Sequence, residues 1–220
     1  MSRTLLRALR GLAVASLLGL GAVATAQANV IGIESYMGHG DLAYSGDLQI
    51  QGRSGTIQGK VYRAPGLQRT DFSVNGIPFG ALVDLASGQG VLWSSAYRSY
   101  ATTALDQYGV RDWVPQLQNH SQVSIVPATG EEAQQEVNGV MTQRYELSGV
   151  SPEGTPYTGQ FWATAEGVVV RLVARVATVD GPITYNLTNL RMGPQTPSLF
   201  AVPAGYQQRS WVEAAGLLGF

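Results

Sequence analysis

The longest β-strand signal in this chain is VVVRLVARVATV, which occupies residues 168–179. Successive side chains of a strand point to opposite faces of its sheet. One face of this strand is apolar and consists of Val168, Val170, Leu172, Ala174 and Val176. The other face carries Arg171 and Arg175 together with two valines. The stretch therefore predicts a strand that packs one side against an apolar core.

Shorter runs with the same alternation precede and follow this strand. Turn-forming pairs separate them, among them Ser45-Gly46, Asn75-Gly76, Asn138-Gly139 and Asp180-Gly181. Runs and turns at this spacing predict roughly ten strands in an antiparallel sheet. The sequence contains no helical pattern long enough for a parallel crossover, so a doubly wound α/β fold is excluded.

The middle and the end of the chain carry the helix signals. Residues 104–122 hold apolar side chains at mixed spacings of three and four, which predicts a short helix over 112–119 with Asp112 as its N-cap. A second short helix is predicted after Ser210, because Glu213 follows at the capping-box position. The predicted fold class is α+β: a highly curved antiparallel sheet, an incomplete β-barrel, with one or two short covering helices.

The first 28 residues have the three parts of a secretory signal peptide. Arg3, Arg7 and Arg10 precede an apolar run over residues 12–24, and Ala26-Gln27-Ala28 provides small residues for cleavage. Ala24-Thr25-Ala26 is the alternative cleavage site. The run is too short to span a bilayer, which takes roughly 20 apolar residues. We therefore predict a cleaved signal peptide (1–28), an exported domain (29–206) and a C-terminal apolar tail (207–220), located in the periplasm or secreted.

Composition narrows the classes of partner and cofactor. The chain has no cysteine, so it cannot carry a cysteine-linked lipid anchor or a disulfide. Lys60 is its one lysine, and the exported part has more acids than bases, which argues against nucleic acid as a partner. Two histidines and no cysteine argue against a transition-metal site. We predict no metal and no cofactor.

Several ordered segments resemble the periplasmic superfamily of the outer-membrane lipoprotein carriers LolA and LolB. The matching pieces span roughly residues 41–206 and include Gly59-Lys60-Val61-Tyr62, Gly66-Leu67-Gln68-Arg69, Phe161-Trp162-Ala163-Thr164 and Phe200-Ala201-Val202-Pro203-Ala204-Gly205-Tyr206. The resemblance implies a curved, incomplete barrel with helices over its open side. It also implies a concave face that binds acyl chains or lipidated proteins.

The resemblance and the aromatic strand positions together give the predicted ligand-binding residues. Arg69 is included as the best candidate for the functional arginine of the carriers, because it follows the matched Gly-Leu segment. The set is Tyr62, Arg69, Trp93, Tyr97, Tyr100, Trp113, Phe161 and Trp162. The competing interpretation is that these rings only fill a solid core. The predicted function is a carrier for a hydrophobic, lipid or lipidated ligand.

Two other functions remain open from the sequence. An envelope interaction module would bind a protein through an exposed edge strand or the C-terminal tail, and the tail would also allow peripheral membrane contact. Catalysis is disfavoured, since His39 of His39-Gly40-Asp41 lies between two glycines, which is typical of a loop, and the chain has no Gly-x-Ser-x-Gly elbow. The prediction is a protein without enzymatic activity and without catalytic residues.

Overall fold

One open, curved sheet of 13 strands makes up nearly all of the described structure. The computed structural model describes residues 33–34, 37–52, 55–74, 76–104, 123–150, 156–177 and 180–210. The strands are β1 (Tyr44–Gly52), β2 (Gly55–Ala64), β3 (Leu67–Val74), β4 (Ile77–Asp84), β5 (Gln89–Ser94), β6 (Ser99–Ala104), β7 (Ser124–Pro127), β8 (Gln134–Val137), β9 (Val140–Val150), β10 (Pro156–Ala163), β11 (Val169–Val176), β12 (Ile183–Met192) and β13 (Gln207–Gln208).

The sheet is two antiparallel meanders joined at β1. Its strand order is β13-β6-β5-β4-β3-β2-β1-β12-β11-β10-β9-β7, and β8 also pairs with β9. Because β1 pairs with β2 on one side and β12 on the other, the two halves share one continuous ladder. The exception to antiparallel pairing is β13, which runs parallel to β6.

An apolar core lies against one side of this sheet, which we call the core face. Leu48 pairs with Leu187, and Ile50 pairs with Tyr185; all four are buried. The buried cluster continues across the neighbouring strands and includes Val61, Leu147, Phe161, Leu172 and Ala174. Ile33, from the segment that precedes β1, belongs to the same cluster. The described segment before β1 therefore packs on the core face.

The strand predicted over residues 168–179 is confirmed as β11 (Val169–Val176). Leu172 and Ala174 are buried, whereas Arg171 and Arg175 are exposed, as period-two alternation requires. Val169 departs from the predicted alternation because it is fully buried. The reason is a shift in the pairing register between Trp162 and Ala163, which interrupts the alternation at the start of β11.

The predicted α+β class is wrong for the described residues, which form a β structure without covering helices. Their helical pieces are the 3-10 helix Pro197–Phe200 and the two residues Ile33 and Glu34. The segment after β12 lies over the sheet as an irregular chain and not as a helix. It contains Pro194, Pro197 and Pro203, and proline disfavours helix interiors. The helix predicted over 112–119 and the tail beyond residue 210 lie outside the described residues.

Candidate functional site

A row of paired residues crosses the sheet on the side opposite the core face, which we call the outer face. From β2 to β6 the row consists of Lys60, Asp71, Gly80, Trp93 and Tyr100. Residues directly paired across strands point to the same side of a sheet. The row therefore places a cation, a carboxylate and two aromatic rings side by side.

Trp93 lies flat across Gly80, its partner on β4. The indole is only 5% exposed. A Cβ atom at Gly80 would overlap Cε2 and Cζ2 of the Trp93 ring. The absence of a side chain at Gly80 therefore fixes the position of this ring against the sheet.

We expect Gly80→Ala to lower the free energy of unfolding by about 1–3 kcal/mol, since the added methyl group forces the Trp93 ring to move. Urea unfolding followed by circular dichroism measures this loss. Gly52→Ala is the matched control, because a Cβ at Gly52 on β1 meets no atom within 4 Å. Equal stability of the two variants would contradict the assigned packing.

Arg69 is held by three groups on the outer face. Its Nε and Nη2 donate to the two carboxylate oxygens of Asp71 at 2.8 and 2.9 Å. Its Nη1 donates to the carbonyl oxygen of Leu199 at 2.8 Å. The guanidinium carbon lies 5.0 Å from the Trp93 ring centroid and 5.9 Å from that of Tyr62. Because its donors are engaged in this way, Arg69 acts as a positioning residue that ties Leu199 to the sheet.

The chain after β12 forms a second wall facing Trp93. The Arg69 bond holds the 3-10 helix at Leu199. Further along, Gln207 N donates to Arg98 O at 2.9 Å and Arg209 N donates to Tyr100 O at 2.8 Å, which fixes β13 beside β6. Residues between these two attachments are thereby held over the outer face.

A cavity of about 400 Å³ lies between the sheet and this wall. Its lining residues are Gln58, Gly59, Lys60, Arg69, Asp71, Phe72, Ser73, Pro78, Phe79, Trp93, Ser95, Pro203 and Tyr206. Trp93, Tyr206 and two prolines contribute apolar wall surface, and charged and polar groups occur on the β2–β3 side. Small-molecule sites have this character: a concave, mostly apolar space with a few polar groups.

The structure brings together only part of the predicted ligand-binding set. Arg69 and Trp93 line the cavity, while Tyr62 and Tyr100 are their neighbours on the outer face. Tyr97 lies in the turn between β5 and β6 and is 41% exposed.

The remaining predicted residues lie elsewhere. Phe161 is fully buried on the core face, where its ring stacks on Tyr145 with centroids 4.9 Å apart. Trp162 packs under Arg171, whose guanidinium carbon is 5.0 Å from the indole centroid. Trp113 lies outside the described residues. Ligand contact by these side chains stays a prediction.

Several lining residues were not identified from the sequence. Pro203 and Tyr206 belong to the matched closing motif, which indicated a domain boundary but not a cavity wall. Phe79 is separated from Trp93 by a turn-containing stretch, and only the β4–β5 ladder, in which Trp93 pairs with the neighbouring Gly80, brings its backbone beside the cavity. Lys60 had one available signal: it is the single lysine of the chain and stands within a matched segment.

A pair of charged side chains in the core was also not identified from the sequence. Glu34 and Arg63 are both fully buried, with Arg63 Nε 4.0 Å from Glu34 Oε2. Glu34 Oε1 accepts hydrogen bonds from Tyr44 Oη at 3.0 Å and from Val169 N at 3.2 Å. Arg63 Nη2 donates to Gly40 O at 3.4 Å. This cluster connects the segment before β1 to β1, β2 and β11.

Burial shifts the pKa values of this cluster. Desolvation raises the pKa of Glu34 from 4.5 to about 7, although the charge of Arg63 and two hydrogen bonds oppose the rise. Burial and the nearby Glu34 carboxylate raise the pKa of Tyr44 well above its usual value. The pKa of Tyr185 is raised for the same two reasons. The tyrosines therefore stay neutral near pH 7, where Glu34 titrates.

Among the described residues, no group of three or more His, Asp or Glu side chains is placed to hold a metal ion. Within the same ranges, no helix has the length and apolar character needed to cross a membrane.

The chain was compared with known families, curated proteins and solved structures. No model of a protein family matches it, and no curated protein is significantly similar. An uncharacterized conserved protein from Thermus thermophilus is 13% identical with a TM-score of 0.53, over 84% of this chain and 99% of that one. A chain of the MucA/MucB complex of Pseudomonas aeruginosa is 10% identical with a TM-score of 0.43, over 84% and 61%.

A LolA superfamily protein from Nitrosomonas europaea also matches, at 7% identity and a TM-score of 0.39, over 80% of this chain and 96% of that one. Identities this low concern the fold alone. The match to the Thermus protein shows a shared fold over most of both chains. A LolA superfamily structure is thus among the solved structures that this chain matches.

Proposed function

We propose that this protein is an exported, non-enzymatic carrier that binds a hydrophobic ligand with an acyl chain. The observation that carries the proposal is the cavity of about 400 Å³ between the outer face and the chain after β12. Its volume is within the range of about 300–1,000 Å³ that is usual for small-molecule sites.

The lining supports an apolar ligand. Trp93 from the sheet and Pro203 and Tyr206 from the second wall present rings to the cavity. Burying an acyl chain between them removes apolar surface from water, which stabilises the complex by roughly 25 cal/mol per Å². A chain of methylene groups fits such walls better than a compact polar metabolite, because it needs no hydrogen bonds along its length.

The non-enzymatic part of the proposal rests on the position of His39. Its side chain packs against Gly167, and it is not among the residues that line the cavity. The proposed location is the periplasm or the exterior, on the basis of the signal-peptide pattern in residues 1–28. A lipid or a lipidated protein is the proposed partner.

Tyr206→Ala tests this site. We expect the variant to bind a dansyl-labelled fatty acid about tenfold more weakly, equivalent to about 1.4 kcal/mol, because it removes one aromatic wall. Fluorescence titration of the mature protein gives the dissociation constants. Tyr97→Ala is the matched control, since Tyr97 is exposed in the β5–β6 turn and does not line the cavity.

Native mass spectrometry of the protein purified from its own compartment gives an independent test. The proposal expects a bound species of acyl-chain mass that is depleted in Tyr206→Ala. A protein that carries no lipid and binds no acyl probe would overturn the proposal.

The alternative is an envelope interaction module, and one observation favours it. Among the described residues β7 is the last strand at this end of the sheet; Val126 on it is 53% exposed, and Met141 on the adjoining β9 is 64% exposed. An unpaired edge with apolar side chains can accept a strand from a partner. If the experiment above finds no lipid, binding of a partner protein at this edge becomes the proposed function.

A further inference from the structure

We propose that the cavity selects acyl ligands with a carboxylate head, and that Lys60 is the residue that recognises this head. The inference rests on the proposed function and adds the class of ligand to it. It starts from the contrast between an apolar cavity and a single ammonium group among its lining residues.

Lys60 lines the cavity with its charged group in contact with solvent. It lies on β2 in the row that contains Asp71 and Trp93, and its side chain is 65% exposed. The long aliphatic stem of a lysine packs on apolar surface while the ammonium group stays in water. A ligand that fills the apolar space would therefore place its polar end next to this ammonium.

The neighbouring charged side chains leave the Lys60 ammonium available to a ligand. Asp71 is neutralised by the two hydrogen bonds from Arg69. The ion-pair partner of Lys60 is Asp47, at 3.7 Å and with a side chain that is 43% exposed. An ion pair this long and this exposed contributes little to stability. Asp47 also accepts a hydrogen bond of 2.6 Å from Asn189 Nδ2, so its carboxylate has another partner.

The charged lining residues consequently favour an anion with one charge. Lys60, Arg69 and Asp71 together carry one net positive charge. The guanidinium of Arg69, which would suit a phosphate through its fork of donors, is engaged by Asp71 and Leu199. One ammonium group matches a carboxylate through a charge-assisted hydrogen bond. A fatty acid satisfies both the apolar walls and this single cation.

The test compares three ligands with the same chain: dodecanoic acid, dodecanol and dodecyl phosphate. Each displaces the neutral fluorescent probe 1-N-phenylnaphthylamine from the mature protein. We expect wild type to prefer the acid over the alcohol by about fivefold. In Lys60→Gln that preference disappears while dodecanol binds unchanged. In Asp47→Asn the preference increases, because the competing carboxylate is removed.

Arg175→Gln is the charge-matched control. Arg175 is an exposed arginine on β11 and does not line the cavity. We expect its preference for the acid to equal that of wild type. The substituted side chains are exposed or half-exposed, and circular dichroism confirms that each variant is folded before binding is measured.

The outcomes separate this inference from the proposed function. Equal binding of acid and alcohol by wild type, or an acid preference that survives in Lys60→Gln, overturns the role of Lys60 and leaves the carrier proposal standing. Tighter binding of dodecyl phosphate than of the acid overturns the carboxylate class. Failure of every ligand to displace the probe contradicts the carrier proposal itself.

Discussion

Arg63→Met is expected to lower the free energy of unfolding by about 3–5 kcal/mol at pH 8. Arg63 is fully buried, and its closest opposite charge is Glu34 at 4.0 Å. Removing the arginine leaves the Glu34 carboxyl in the core without a counter-charge, so that it must either stay ionised at a high cost or take up a proton from solution. Loss of one partner of a buried pair is costly for that reason, whereas the intact pair itself contributes little.

The double variant Arg63→Met, Glu34→Gln separates loss of packing from loss of charge. We expect it to recover most of the stability lost by Arg63→Met, because both charges are then absent and methionine fills much of the arginine volume. Guanidinium chloride unfolding at pH 8 provides the free energies for a double-mutant cycle. An equally unstable double variant would show that the Arg63 side chain acts through packing alone.

Local features of the fold could be predicted because they depend on short stretches of sequence. Asn138 and Gly139 adopt positive φ angles of 55° and 82° in the hairpin between β8 and β9, the conformation that an Asn-Gly turn favours. The apolar alternation of residues 170–174 predicted which of its side chains are buried. Neither inference needed a partner strand.

The candidate site could be predicted only in part, because it depends on which strands pair. Trp93 and Arg69 are far apart in sequence and meet through the ladders from β3 to β5. Phe161 and Trp162 are adjacent on one strand, so alternation alone places them on opposite faces and argues against one shared lining. The wall that carries Tyr206 is fixed by the Arg69–Leu199 bond and by β13, which no local pattern indicates.

The buried pair of Glu34 and Arg63 could not be predicted from the sequence for a different reason. Glutamate is rarely found fully buried, so composition argues against a core position for Glu34. Arg63 shares the alternation of the buried Val61 on β2, which is a signal for the core face. The alternation does not show why a charged side chain is buried there. The reason is the fold, which places Glu34, from the segment before β1, beside Arg63.

Raising the pH from 5 to 8 is expected to destabilise the folded protein through Glu34. The pKa of this carboxyl is about 7 in the folded state against 4.5 as its ordinary value. Because the folded pKa is raised, the unfolded state loses its proton first, and the stabilisation present at low pH is lost as the pH rises through 7. The difference amounts to about 3 kcal/mol, since one pKa unit corresponds to about 1.4 kcal/mol.

Among the described residues, the chosen pH range separates Glu34 from the other carboxyl and tyrosine groups whose pKa values are shifted. The pKa values of Asp84 and Glu166 are lowered by hydrogen bonds, and their contribution is lost only in more acidic solution. Tyr44 and Tyr185 stay neutral throughout, because their pKa values are raised above the usual tyrosine value. Urea unfolding at several pH values between 5 and 8 therefore measures the titration of Glu34.

Glu34→Gln removes the titrating group and keeps an oxygen that can accept the hydrogen bonds from Tyr44 and Val169. We expect the unfolding free energy of this variant to be nearly constant between pH 5 and 8, while that of wild type falls. A wild-type protein whose stability is flat over this range, or a slope that persists in Glu34→Gln, would contradict the assignment. The same pH dependence links the two core predictions: the loss caused by Arg63→Met is smaller at pH 5, where a protonated Glu34 no longer needs a counter-charge.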